Sequence, residues 1–282
     1  MSPKPAWSWQ FNADELELVR PLALDTPMTK EWAWGGSTGA GVKVAVIDSG
    51  VDGSHPAVGS VQGGAVIEYA PDEEGQVRVT EGPHDDLFGH GTACAGIIRR
   101  AAPDCELYSV RVLGERLTGK GIVFAAGLKW AVENKMQVLN MSLSTTKRDF
   151  FGALHELADQ AYFHHIMLVS AINNVIAPSY PSEYSSVFSV ACHEGKDPLG
   201  FDYNPHPPVE FGAPGIDVDV PWMNGSTIKA TGNSFAAPHI AGVITKILGK
   251  HPNLTPFQMK TVLHATADNS SVDAQPLKTG TE

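Results

Sequence analysis

Three polar residues in this chain stand where a serine could be turned into a nucleophile. Asp48 ends the apolar, β-branched run VKVAVID, His90 lies in DLFGHGTACAG at a loop-to-helix junction, and Ser234 lies in GNSFAAPHIAG at another helix start. A serine hydroxyl attacks poorly until a neighbouring imidazole takes its proton, and a carboxylate holds that imidazole in the productive tautomer. Acid, imidazole and hydroxyl each have one good candidate, so the chemistry in prospect is acyl transfer through a serine. Gly89 and Gly91 let backbone crowd around the histidine, and Gly232 permits a tight turn before the serine. A helix that begins at Ser234 also leaves unpaired amides beside a developing oxyanion. Pro238 is tolerated near a helix start and disruptive in an interior, which puts that start close to Ser234.

These groups need a frame, and in open parallel sheets reactive residues gather at the carboxyl ends of strands. VKVAVID, bounded by GAG and SG, reads as a buried parallel strand with Asp48 at its end. The pattern then alternates: a helix near 90–100, a strand at LYSVRVL, a helix near 121–134, a strand at VLNMSL, a helix near 150–164 and a strand at IMLVSAI. After a stretch rich in Gly and Pro, a helix opens around Ser234 and runs through IAGVITKILGK, and a last helix, about 255–266, has Thr255 as its N-cap. This order predicts an α/β fold of three layers, a mainly parallel central sheet flanked by helices. One domain over residues 18–269 is expected, without an internal repeat. Residues 1–17, with Trp7, Trp9 and Phe11, read as an extension over the domain, and 270–282, SSVDAQPLKTGTE, as a disordered tail.

Composition narrows the function classes. The chain has 282 residues, 43% of them apolar, which suits a packed globule. A formal net charge of −11 and no cluster of Lys or Arg argue against a nucleic-acid surface. Cys94, Cys105 and Cys192 are an odd number without metal-type pairing, so neither a disulfide framework nor a zinc site is expected, and free thiols suit a reducing, cytoplasmic compartment. The N-terminal stretch lacks a continuous apolar core, and no run could span a bilayer, so no membrane partner is expected. His84, Asp85 and Asp86 read as a solvated loop rather than a metal site, and His164 and His165 are successive helix residues that do not face one another.

The segments AVIDSGVDGSHP, FGHGTACAG and GNSFAAPHIAG resemble the three signature segments of the subtilisin family of serine proteases, in the order Asp, His, Ser. APDCELYSVRVL, GLKWAVENKMQVLNMSL, EFGAPG and KHPNLTPFQM resemble the intervening segments, so the likeness extends over roughly residues 19–269. The resemblance implies that Asp48, His90 and Ser234 form the catalytic triad. It implies that the Asn174 side chain, in LVSAINNV, and the Ser234 N–H hold the oxyanion. It further implies that an extended peptide or protein substrate pairs with Leu117-Thr118-Gly119 and Ser142-Leu143-Ser144, with selectivity set beside Ala171, Ile172 and Asn173. No cofactor is implied. Cys94, one turn after His90, resembles the placement in thiol-bearing members and reads as a small buried side chain.

The sequence also departs from the family. The calcium-binding loop usual after the histidine helix is missing where IIRR runs into AAPDCELY, and Ala57 stands where an acidic ligand is usual, so no metal is expected there. Ser144 and Asn173 replace glycines and Asn233 a threonine, which is expected to narrow the pocket toward small or unusual side chains. The N-terminal extension is expected to be too short to serve as the usual inhibitory prodomain. These features favour an intracellular processing protease that trims a precursor peptide, ahead of a broad degrader or an idle peptide-binding pseudoprotease.

Overall fold

The computed structural model describes residues 27–270. The extension expected over 1–17, and the tail beyond Ser270, lie outside the described residues. The fold is built on a nine-stranded sheet in the order β3-β2-β4-β1-β5-β6-β7-β9-β8. Its strands are β1 (Lys43–Asp48), β2 (Gly63–Tyr69), β3 (Val77–Glu81), β4 (Glu106–Arg111), β5 (Val138–Met141), β6 (Met167–Ala171), β7 (Phe188–His193), β8 (Asp202–Tyr203) and β9 (Phe211–Pro214). From β2 across to β9 every pairing is parallel, and only the edge strands β3 and β8 run antiparallel to their neighbours. A hairpin of β10 (Val218–Pro221) and β11 (Thr227–Ala230) stands apart from this sheet.

Helices cover both faces, as the apolar runs of the central strands require. One layer holds α1 (Lys30–Trp34), α2 (His90–Ala101), α5 (Asn233–Lys250) and α6 (Pro256–Thr266), and the other holds α3 (Gly121–Glu133) and α4 (Phe151–Phe163). Strand period decides which side chain meets which layer. Val44 and Val46 pack with Ile98, Ile240 and Ile244 under α2 and α5, while Ala45 and Ile47 pack with Leu128 and Leu154 under α3 and α4. By the same alternation Asp48 falls on the side of α2 and α5, the two helices that carry His90 and Ser234.

Helix α5 is the most deeply set, with its face buried from Phe235 through Thr245. Its close crossing with α2 needs a glycine, because a Cβ at Gly242 would stand 2.7 Å from the Ala101 methyl. Pro238 is the sixth residue of α5 rather than part of its first turn, so the helix tolerates a proline farther in than the sequence suggested. The sequence reading located β1, β4, β5, β6 and the four longest helices to within about two residues. It passed over β2, β3 and β7 to β11; of these β2 is glycine-led, β3 and β8 are sheet edges, β9 to β11 are four residues each, and β7 is an interior strand of six residues.

Helix α6 begins with a capping box: the Thr255 hydroxyl accepts from the Gln258 N–H, and the Gln258 side chain accepts from the Thr255 N–H. Along this helix Lys260 turns its ammonium inward. Nζ donates to the carbonyls of Ser185 (2.8 Å) and Val187 (2.9 Å) and to both carboxylate oxygens of Glu210 (2.6 and 2.9 Å). Burial pushes the Lys260 pKa down against the pull of Glu210. Removing one partner of a largely buried pair strands the other charge. Lys260→Met is therefore expected to destabilise the fold by about 3 kcal/mol. Thermal unfolding checks this, and an unchanged melting temperature would contradict it.

Candidate active site

Asp48 is fully buried at the carboxyl end of β1, and His90 is the first residue of α2. The His90 Nδ1–H donates to both Asp48 oxygens, at 2.8 and 2.9 Å, and the Ser49 N–H donates to one of them at 2.8 Å. That contact fixes the tautomer with the proton on Nδ1 and leaves Nε2 as the basic nitrogen. Burial disfavours charge on His90, but the charge and hydrogen bonds of the Asp48 carboxylate, together with the neighbouring Cys94, outweigh it, and the imidazole pKa is raised well above its ordinary value. Phe235 packs on the ring with centroids 5.2 Å apart.

The loop before His90 is organised by Asp86, which is buried rather than solvated as the sequence suggested. One of its oxygens accepts from Ser49 Oγ (2.7 Å), Phe88 N (2.9 Å) and Gly89 N (2.8 Å); the other accepts from Thr92 N (2.9 Å) and Thr92 Oγ1 (2.6 Å). Ser49 Oγ in turn takes the Gly91 N–H at 3.1 Å. The amides of Gly89, Gly91 and Thr92 at the start of α2, which a helix cannot satisfy itself, are thereby paired. His84 points elsewhere, its ring between the Gly82 carbonyl (3.0 Å) and Ser109 Oγ (2.8 Å), so the three neighbours His84, Asp85 and Asp86 do not converge on one point. An acidic residue shortly before a helix start is a capping signal, and it could have identified Asp86.

Ser234 is the second residue of α5, after Gly232 and Asn233. The Asn174 Oδ1 accepts from the Asn233 N–H at 2.9 Å, which orients the amide beside the serine. A Cβ at Gly232 would enter the space they share, 3.4 Å from Ser234 Oγ and 3.6 Å from Asn174 Nδ2. Pro238 has no N–H to give the Ser234 carbonyl across one turn. That carbonyl accepts instead from Ser142 Oγ at 2.7 Å, and Asn140 Nδ2 donates to the same Ser142 oxygen at 3.0 Å. The Cys94 thiol fills the remaining space, 3.7 Å from the Ser234 carbonyl, 3.9 Å from Asp48 Oδ2 and 4.0 Å from His90 Nδ1. Burial pushes its pKa up, so the sulfur stays a neutral packing group.

A cleft of about 450 Å³ opens over this assembly, and its lining brings together His90, Ser234, Asn174, residues 117–119, residues 142–144 and residues 171–173. Ser144 and Asn173 line it as expected. Asn233 does not. Its Oδ1 accepts from the Cys192 N–H (2.9 Å), and its Nδ2 donates to the carbonyls of Ile172 (3.2 Å) and Asn173 (3.1 Å). Asn233 thus ties the serine turn to β6 and β7 and leaves the cleft width alone. Asp86 offers a direct check on the loop. Asp86→Ala strands several buried donors, and a loss of about 3 kcal/mol is expected in denaturant unfolding, against little loss for a solvated loop residue.

The model of the subtilase family matches residues 39–281 of this chain. Subtilisin from Bacillus pumilus is 33% identical over 247 residues, covering 82% of this chain and 86% of its own. Subtilisin E of Bacillus subtilis (strain 168) is also 33% identical over 247 residues, and the chain spans 62% of its length. A crystal structure of a cold adapted subtilisin-like serine proteinase superposes with a TM-score of 0.66 at 24% identity, covering 82% of this chain and 83% of that one, which is a likeness of fold. Family model, relatives and fold agree with the buried Asp48–His90 pair beside Ser234: the chain belongs to the subtilase family.

Proposed function

We propose that this chain is a serine endopeptidase that hydrolyses peptide bonds through an acyl-enzyme on Ser234. The observation that carries the reading is His90 held by Asp48 in the same cleft as Ser234 and Asn174. His90 Nε2 takes the hydroxyl proton as Ser234 Oγ attacks the peptide carbonyl, and Asp48 stabilises the imidazolium without taking the proton. The Asn174 amide and the Ser234 N–H receive the oxyanion. His90 then protonates the leaving amine, and a water activated by the same imidazole releases the acyl half. Leu117 to Gly119 and Ser142 to Ser144 would pair with the substrate backbone, leaving selectivity to side-chain pockets.

The finer reading is a processing protease that trims a precursor peptide inside the cell. Ser144 and Asn173 in the cleft wall support narrow selectivity. Free thiols at Cys94, Cys105 and Cys192 support a reducing, cytoplasmic setting. The net charge of −11 supports a protein partner over nucleic acid. Among the described residues no helix is long and apolar enough to cross a membrane. Mass-spectrometric cleavage profiling of a peptide library tests both levels. Cleavage at few sites, absent in Ser234→Ala, supports processing; broad cleavage indicates a degrader; and no cleavage, with no phosphonate label on Ser234, overturns the enzyme.

Three kinetic outcomes are expected. Because Asp48 raises the His90 pKa, the acid limb of kcat/KM should lie above the ordinary histidine value of about 6.5, with activity falling as pH drops and Nε2 becomes protonated. Asp48→Asn should lower kcat by about 10⁴-fold and move that limb downward; a limb at or below the ordinary value in the wild type would contradict the assignment. Asn174→Ala should lower kcat by about 10²-fold to 10³-fold with KM little changed, and a pure KM effect would place Asn174 in binding instead.

A further inference from the structure

Two aromatic side chains meet beside Gly89, the residue before His90, outside the lining of the cleft, and the function above leaves them unused. Phe88 lies two residues before His90, and Trp222 and Met223 lie in the turn of the β10–β11 hairpin. Phe88 and Trp222 meet edge to face, with ring centroids 5.7 Å apart. A Cβ at Gly89 would stand 2.8 Å from the Trp222 ring and 3.0 Å from Met223 Cγ, so the hairpin turn closes onto the residue that precedes His90. Gly89 has φ +103°, which a side chain would strain as well. Phe88, Trp222 and Met223 are each only half-buried, and none of them lines the cleft that contains residues 117–119 and 142–144.

The direction of the reaction gives this surface a role. In an acyl transfer from a peptide, the half that acylates Ser234 occupies the cleft, and the other half departs as an amine that His90 must reach to protonate. The leaving half therefore extends past His90 beyond the acyl half, and half-buried Phe88 and Trp222 lie beside the residue that precedes His90. We propose, resting on the endopeptidase reading, that Phe88 and Trp222 form a shelf for an aromatic or large apolar side chain immediately after the scissile bond. Burying such a side chain against two rings removes apolar surface from water and adds ring-to-ring contact, whereas glycine gains neither. The shelf acts on the leaving half alone, so it selects substrates independently of Ser144 and Asn173.

The test uses the full chain and substrates that share one acyl sequence taken from cleavage profiling. One is a methyl ester, whose leaving group carries no side chain; the others are internally quenched peptides with Phe or Gly after the scissile bond. The wild type is expected to cleave the Phe peptide with kcat/KM about tenfold above the Gly peptide, and Trp222→Ala to bring that ratio within about twofold of unity. Phe88→Ala is read the same way and serves if Trp222→Ala does not fold. Equal cleavage of both peptides by the wild type overturns the proposal. So does a loss on the ester as large as the loss on the Phe peptide, which would make Trp222 a support for His90 alone. Ser234 that neither hydrolyses any substrate nor takes a phosphonate removes the endopeptidase reading, and the shelf with it.

Discussion

A carboxylate with no exposure to water must be met by hydrogen bonds, and in this fold the partner of Asp48 is the His90 imidazole. Much of the architecture is needed to make that contact. β1 has to lie inside the sheet, with β4 and β5 on its two sides, so that Asp48 emerges from a dry strand end. The N-terminus of α2 has to arrive directly above it, and Asp86 and Ser49 hold that terminus by pairing its free amides. Cys94 then closes the space beside the pair with a neutral sulfur. A second charged or bulky group at that position would compete with the carboxylate for His90 or push the helix away.

Ser234, the proposed nucleophile, is placed by a different device, the loss of a helix hydrogen bond at Pro238. Pro238 frees the Ser234 carbonyl, and the Ser142 hydroxyl takes it up. The segment expected to pair with substrate is thereby joined to the backbone of the serine. Asn233 adds a second tie, from the serine turn to the end of β6 and to Cys192 in β7. Strand ends, serine and Asn174 amide are thus parts of one hydrogen-bonded body, which is what preorganised stabilisation of an oxyanion demands.

Charged side chains far from the cleft hold the helical layer that carries the site. The Lys246 ammonium reaches the Ser37 carbonyl, and Lys250 reaches those of Glu31 (2.7 Å) and Gly35 (3.2 Å), tying the far end of α5 to α1. The Lys260 ammonium does the same for α6, β9 and the chain before β7. In each case a long side chain brings its own cation to main-chain carbonyls near the end of an element.

The sequence by itself determined the elements with strong periodicity and the candidates for the chemistry. Short apolar runs marked β1, β5 and β6, with glycines bounding the first, and Thr255 marked the start of α6. Asp48, His90 and Ser234 were legible because nucleophilic catalysis restricts residue types, and strand ends and helix starts restrict their places. The edge strands were not, since an exposed strand such as β3 has no buried face to show in its pattern. Only the tertiary structure decided that Asp86 is a buried cap rather than a solvated acid, and that Asn233 points into the frame rather than into the cleft. Both side chains form hydrogen bonds to residues distant in the chain, from Asp86 to Ser49 and from Asn233 to Ile172. Residue type and spacing give a polar side chain its capacity to bond; which partner it finds depends on how distant segments come together.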